Sequence, residues 1–167
     1  MHFTQKKDFD LDKARNRLSK RAIIYLWCYR TACSNCFFIK KYIAKIGIEF
    51  FKLNGIGIET KKIGGGLRLP HLNGIFIHGK ASLGENCTIL QQVTIGANEH
   101  RNNYDAAPQI GNRVYIGAGA KIIGDITIGD DVRNGANAVV TKNIPASQTV
   151  VGYNKIIETK IERTGII

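Results

Sequence analysis

The sequence predicts an all-β solenoid of six-residue units preceded by a short α-helical region, and three features carry that expectation. From Ile75 to Val140 aliphatic residues recur every six positions, at Ile77, Leu83, Ile89 and Ile95 and, after an interruption, at Ile110, Ile116, Ile122, Ile128 and Val140, with only Asn134 polar in that register. Glycine follows six of these ten positions, at Gly84, Gly96, Gly111, Gly117, Gly129 and Gly135. A second register of small or β-branched residues runs two positions earlier, through Ala81, Cys87, Val93, Val114, Ala120, Ile126, Val132 and Ala138. Neither a helix nor an alternating strand has this period. Six residues bury nothing alone, so the units must stack as short parallel strands, each apolar residue lying on its equivalent in the next coil. Glycine at fixed phase supplies the corners and β-branched residues suit the flat faces.

Taken in order, residues 1–54 read as a basic helical segment. Asp10 is a candidate N-cap for a helix through Lys13, Arg17 and Ile24 toward Ala32. Ser34 or Asn35 is placed to cap a second helix that ends at Asn54 and Gly55, with Phe38, Tyr42, Lys45, Ile46, Phe50 and Leu53 at helical spacing. Residues 55–157 form the solenoid, interrupted at 97–108. Because Ile95 and Ile110 are 15 apart, not a multiple of six, this stretch must leave the coil as a loop, and loops on a regular scaffold tend to carry function. The chain is expected to leave the coil after Ala146 and pack back on it or on a neighbour, and residues 158–167 form a C-terminal tail.

Charge divides the chain in the same way. Of the net +11, residues 1–62 carry 14 Lys and Arg against 5 Asp and Glu. That asymmetry suits a solvated helical surface or attraction to anionic lipid or glycan. No nucleic-acid motif accompanies it, so no nucleic-acid partner is expected. The longest apolar run there, Ala22 to Tyr29, is too short to span a bilayer and lacks the flanks of a secretory signal. A cytoplasmic protein is expected, with peripheral contact to the inner membrane face left open. Cys33 and Cys36 form a CxxC without the partners of a zinc or redox site, so with Cys28 they read as packed helix residues, and Cys87 as a solenoid corner.

The segments LPHLNGIFI, ASLGENCTILQQVTIG, PQIGNRVYIGAGAKIIGDITIGDDV and NGANAVVTKNIPA resemble, in order and spacing, the hexapeptide-repeat acyltransferases and in particular serine O-acetyltransferases. They resemble still more the shorter serine-acetyltransferase-like enzymes that acetylate sugars of bacterial surface polysaccharides. The resemblance covers Gly55 to Ile157. It implies a left-handed parallel β-helix of triangular section, acetyl-CoA as donor, and a homotrimer whose coenzyme clefts lie between neighbouring solenoids.

Acetyl transfer to a hydroxyl needs a base, an oxyanion donor and a slot for a long thioester. His71 matches the family's catalytic histidine, and the stretched rhythm around Leu69 and Ile75 lets it project at a coil edge. Residues 117–121 and 135–138 resemble the family's coenzyme A track, met by backbone at Ala118 and Ala136. Lys121, Arg133 and Lys142 are candidates for the nucleotide phosphates, and Gly96 or Ala97 for the oxyanion donor. The related β-helical enzymes with three-histidine zinc sites need a close histidine pair that this sequence lacks, so no metal is expected.

Departures from the serine enzymes guide the expected acceptor. The family's Asp before the base is Pro70 here, its second His aligns with Ala107, and the upstream Asp that orients the base aligns with Ile56, leaving Glu59 as a substitute. Without these groups the charged ends of serine have no partners. The first expectation is therefore an acetyl-CoA-dependent O-acetyltransferase acting on a sugar or glycan in surface polysaccharide synthesis, its acceptor held by Asn73, Gln91, Gln92, His100 and Arg101. Serine O-acetyltransfer in cysteine biosynthesis is the alternative, and a non-catalytic scaffold is a third.

Overall fold

The computed structural model describes residues 3–16, 19–32, 38–53, 55–98 and 106–157. Three parallel sheets wrap the solenoid, and the chain visits them in turn. Sheet A stacks β1 (Ile56–Ile58), β3 (Ile75–Ile77), β6 (Thr94–Gly96), β9 (Lys121–Ile123) and β12 (Val139–Val140). Sheet B stacks β2 (Lys62–Ile63), β4 (Ser82–Leu83), β7 (Gln109–Ile110) and β10 (Thr127–Ile128). Sheet C stacks β5 (Thr88–Ile89), β8 (Tyr115–Ile116), β11 (Arg133–Asn134) and β13 (Thr149–Val151), and closes with the antiparallel β14 (Lys155–Ile157). Ile128 pairs with Ile110 and Ile122 with Val140, so one rung of the coil is three hexads.

Both registers read from the sequence point inward. Ile77, Ile89, Ile95, Ile116, Ile122, Ile128 and Val140 are buried, as are Ala81, Cys87, Val93, Val114, Ala120, Val132 and Ala138. Each fully buried aliphatic side chain removes apolar surface worth about 1.5–3 kcal/mol from water. Asn134 is the exception: it is wholly buried on β11, and neither its Oδ1 nor its Nδ2 has a hydrogen-bond partner. The interruption enters where the sequence places it, between β6 and β7, for Ile95 pairs with Ile122 and Leu83 with Ile110 across it.

The N-terminal region is three helices, α1 (Phe3–Arg15), α2 (Lys20–Ala32) and α3 (Phe38–Leu53). Asp10 therefore lies within a helix instead of capping one, and the single helix expected up to Ala32 is broken near Asn16. The reason is tertiary. The first coil has no preceding rung to bond its backbone around sheet C, and α1 takes that place. Asp12 Oδ1 accepts from the Leu67 N–H (2.7 Å), Asn16 Oδ1 accepts from the Leu69 N–H (2.7 Å), and Asn16 Nδ2 donates to the Leu67 carbonyl (2.7 Å). Arg30 of α2 donates to the carbonyls of Ile63 (2.8 Å) and Gly64 (2.7 Å) and to Asp12 Oδ2 (3.0 Å). Burial pushes the Asp12 carboxyl up against the downward pull of Arg30 and the Leu67 amide. The two helices cap an end of the solenoid that would otherwise expose unpaired strand backbone.

After the break, Ser19 restarts the chain as a helix: its Oγ accepts from the Ala22 N–H (3.3 Å) and its carbonyl from the Ile23 N–H (3.1 Å). Helix α3 packs on α2 where Gly47 leaves room for Cys28; a Cβ there would stand 2.6 Å from the Cys28 sulfur. Burial raises the thiol pKa of Cys28 and Cys87, both packed as expected. Cys33, Cys36, Ser34 and Asn35 lie outside the described residues. At the other end the chain stays in the coil beyond Ala146, since β13 pairs with β11 before β14 turns back on it. No helix among the described residues is long and apolar enough to cross a membrane.

Candidate active site

The corner between sheets C and A holds most of the candidate groups, stacked rung on rung. Its backbone forms a ladder: the Gln92 N–H donates to the Asn73 carbonyl (2.9 Å), the Gly119 N–H to that of Gln91 (2.9 Å), and the Asn137 N–H to that of Ala118 (2.8 Å). Gly74, Gln92, Gly119 and Asn137 all have positive φ here. Gly119 is required twice over, by its φ of 72° and because a Cβ would fall 2.0 Å from Asn137 Oδ1. His71 and Asn73 top the column, Gln91 and Gln92 lie in the next rung, and Ala118 and Ala136 follow.

His71 is exposed at this corner, directly after Pro70 and tied by its carbonyl to the Asn73 N–H (3.1 Å). Beside it opens a cavity of about 430 Å³ lined by Ser19, Arg21, Pro70, His71, Leu72, Asn73 and Gln91. The solenoid supplies five of these residues and the start of α2 supplies the other two. Gln91 Oε1 is buried with no hydrogen-bond partner. An exposed imidazole beside a partly apolar cavity, above a column of Gly and Ala, can take a proton from a hydroxyl held there while a thin acyl carrier lies along the small residues.

Comparison with known proteins fits this geometry. The family described as Bacterial transferase hexapeptide (six repeats) matches residues 107–142. A serine acetyltransferase of Helicobacter pylori strain J99 is 39% identical over 140 residues, spanning 81% of this chain and 80% of that protein. One from Mycobacterium tuberculosis is 40% identical over 114 residues, spanning 67% and 49%. The chain belongs to the serine acetyltransferase family. Among solved structures, the soybean serine acetyltransferase apoenzyme superimposes with a TM-score of 0.74 at 26% identity, covering 92% of this chain and 67% of that one. The Neisseria gonorrhoeae serine acetyltransferase gives 0.71 at 27%, covering 95% and 65%.

Membership makes this chain an acyltransferase and removes the scaffold alternative. It also overturns the expectation of a sugar or glycan acceptor in polysaccharide synthesis, because the relatives at 39–40% identity are serine acetyltransferases. That expectation weighed the resemblance to shorter sugar-acetylating enzymes and the positions where the family keeps its charged groups, Pro70, Ala107 and Ile56. Ile56 is fully buried and Ala107 is 2% exposed at the A–B corner, so neither faces the His71 cavity within one chain. Arg21, which does line it, lies 50 positions upstream on a helix and carries no repeat signal.

The chain divides the remaining candidates between two corners. Lys121 opens β9 beside the C–A corner, where its Nζ donates to the Gln92 carbonyl (2.6 Å), and Arg133 is exposed on β11 just before that corner. Gly96, Ala97 and Lys142 lie at or near the A–B corner, across sheet A from His71. Glu59 is there too, exposed just after β1, so it does not orient His71 within one chain. His78 stands at the same corner, its Nδ1 accepting from the Lys80 N–H (3.3 Å). His100 and Arg101 lie outside the described residues. Among the described residues no group of three or more His, Cys, Asp and Glu is placed to hold a metal.

Proposed function

We propose that this chain is a serine O-acetyltransferase that uses acetyl-CoA and works as a left-handed β-helical homotrimer. The observation that carries the reading is the exposed His71 imidazole on the cavity at the head of the C–A column. The family matches supply the acceptor: the similar proteins from Helicobacter pylori and Mycobacterium tuberculosis are serine acetyltransferases.

In this mechanism an imidazole nitrogen of His71 takes the proton from the serine hydroxyl as its oxygen forms a bond to the thioester carbonyl carbon. The tetrahedral intermediate collapses with cleavage of the carbon–sulfur bond, and the proton passes from the imidazolium to the departing coenzyme A thiolate. The pantetheine arm lies against backbone at Ala118 and Ala136, with Lys121 and Arg133 flanking that corner on either face for the phosphates. Gly96, Ala97 and Lys142, at the far corner of the same solenoid, complete a neighbour's cleft. A cyclic trimer brings one chain's C–A corner against another's A–B corner three times over.

The test is thiol release from acetyl-CoA by the purified enzyme, expected to depend on L-serine and to saturate with it. Release indifferent to serine would reject the reading. Light scattering is expected to give three times the chain mass of 18.5 kDa, and a fully active monomer would reject the shared cleft.

A further inference from the structure

A free amino acid brings an ammonium and a carboxylate into the site along with its hydroxyl. Taking either out of water without a partner is costly. At the positions where the family resemblance places groups for those ends, this chain has Pro70 and the buried Ala107. The cavity beside His71 is nevertheless lined by one cation and by a glutamine whose amide oxygen is an orphan acceptor shut off from water. Arg21 lines it from the first turn of α2, and its side chain makes no hydrogen bond or ion pair with any of the described residues. Gln91 lines it from the solenoid, and its buried Oε1 has no partner.

Resting on the serine reading above, we infer that Arg21 holds the carboxylate of the acceptor and that the Gln91 amide turns its Oε1 toward the cavity to accept a hydrogen bond from the ammonium, which delivers the hydroxyl to His71. A guanidinium presents paired donors that match the two oxygens of a carboxylate. Its place in the first turn of a helix capped by Ser19 adds positive potential of the same sign. A buried acceptor without a partner is uncommon in a folded protein and calls for a ligand donor; an ammonium supplies one. The cavity of about 430 Å³ leaves ample room for a three-carbon amino acid. Three fixed points also orient the substrate, so a hydroxyl carried by a different frame is presented less well.

The placement of Arg21 depends on the helical cap. Asp12, Asn16 and Arg30 bolt α1 and α2 to the backbone from Ile63 to Leu69, and His71 follows two residues later. The same bonds that satisfy the open end of the solenoid thus bring the start of α2 over the base. In this chain the acceptor site is shared between helix and coil, whereas the coenzyme track belongs to the coil alone.

Steady-state kinetics of the full-length enzyme with three acceptors separates the contacts. The acceptors are serine, serinamide, which lacks the carboxylate, and 3-hydroxypropionate, which lacks the ammonium. Arg21→Ala is expected to lower kcat/KM for serine by about 10- to 100-fold, the loss of a charged hydrogen-bonded pair. The loss should appear mostly in the KM for serine, with that for acetyl-CoA unmoved and partial recovery in Arg21→Lys. With serinamide, wild type and Arg21→Ala should differ by less than about 2-fold, since the contact is missing from both. Gln91→Leu should weaken serine and serinamide but not 3-hydroxypropionate. Equal losses on all three acceptors would make Arg21 and Gln91 structural and overturn the inference. A wild type active on serine with an unaffected Arg21→Ala would overturn it while leaving the proposed function standing. A wild type inactive on serine would end both.

Discussion

Along the B–C corner polar side chains are spent on the neighbouring rung. Asn112 Oδ1 accepts from the Glu85 N–H (2.8 Å), Asp130 Oδ1 accepts from the Asn112 N–H (2.8 Å), and Arg113 pairs with Asp131 at 2.7 Å. Arg15 donates to the Gly66 carbonyl at the head of that column (2.6 Å). Along the C–A corner the side chains are His71, Asn73, Gln91, Ala118 and Ala136, a cavity opens, and Gln91 Oε1 is left unpartnered. Backbone shape does not distinguish the two. Both columns stack positive-φ residues, Gly66, Asn86, Arg113, Asp131 and Ser147 in one, Gly74, Gln92, Gly119 and Asn137 in the other. What differs is whether polar groups are consumed by the fold or left for a substrate. One repeat can therefore build a structural edge and an open edge side by side, since the polar corner residues lie outside the two buried registers and the core does not constrain them.

The largest expected effect breaks the open edge alone. His71→Ala should lower turnover by about 10²- to 10⁴-fold, the usual contribution of a positioned general base, with the thermal unfolding midpoint unchanged because the imidazole is exposed. Turnover close to wild type would take His71 out of the mechanism and erase the contrast between the corners.

Next is the capped end of the structural edge. Asp12→Ala takes from the buried Arg30 its hydrogen-bonded carboxylate, leaving only Asp8 at 3.6 Å, and leaves the Leu67 amide without its acceptor. A loss of about 3–5 kcal/mol is expected, read from urea unfolding of the pure protein. A change below about 1 kcal/mol would mean that solvent replaces these bonds and the helices are not needed as a cap.

The smallest effect is a matter of pH. The Asn112 backbone amide, with its side chain, holds the Asp130 carboxyl below its ordinary 3.8. A carboxyl lowered by folding stabilises the native state above 3.8, and that contribution disappears as the pH falls through the native value. Asp130→Asn should therefore flatten the fall in stability on acidification below about pH 4 while leaving the rate with serine at neutral pH unaltered. An acid limb equally steep in both proteins would show that the B–C ladder is not tuned by that charge.

Much of the fold was legible because a solenoid is periodic: a side chain at one phase meets its equivalent one rung on, so Ile77, Ile95, Ile122 and Val140 announce one buried line without any long-range information. The break in phase after Ile95 was legible for the same reason, and Leu83 pairs with Ile110 across it. His71 was legible through its motif and its stretched rhythm. The acceptor was not, because the resemblance to shorter sugar-acetylating enzymes and the aligned positions Pro70 and Ala107 both argued for an uncharged substrate. Arg21 lacks any such frame.

The six-residue period thus determined, by itself, the stacking of the coil, its buried registers, the break in phase after Ile95 and the place of His71 at a corner, because each follows from spacing between near neighbours in a repeating unit. Tertiary structure alone decided that the first helix breaks near Asn16 and that Ser19 starts another. It also set Glu59 at the A–B corner and Arg21 beside His71. Those outcomes turn on unpaired backbone at the open end of the solenoid, which a linear pattern does not display and which a helix more than fifty residues upstream supplies.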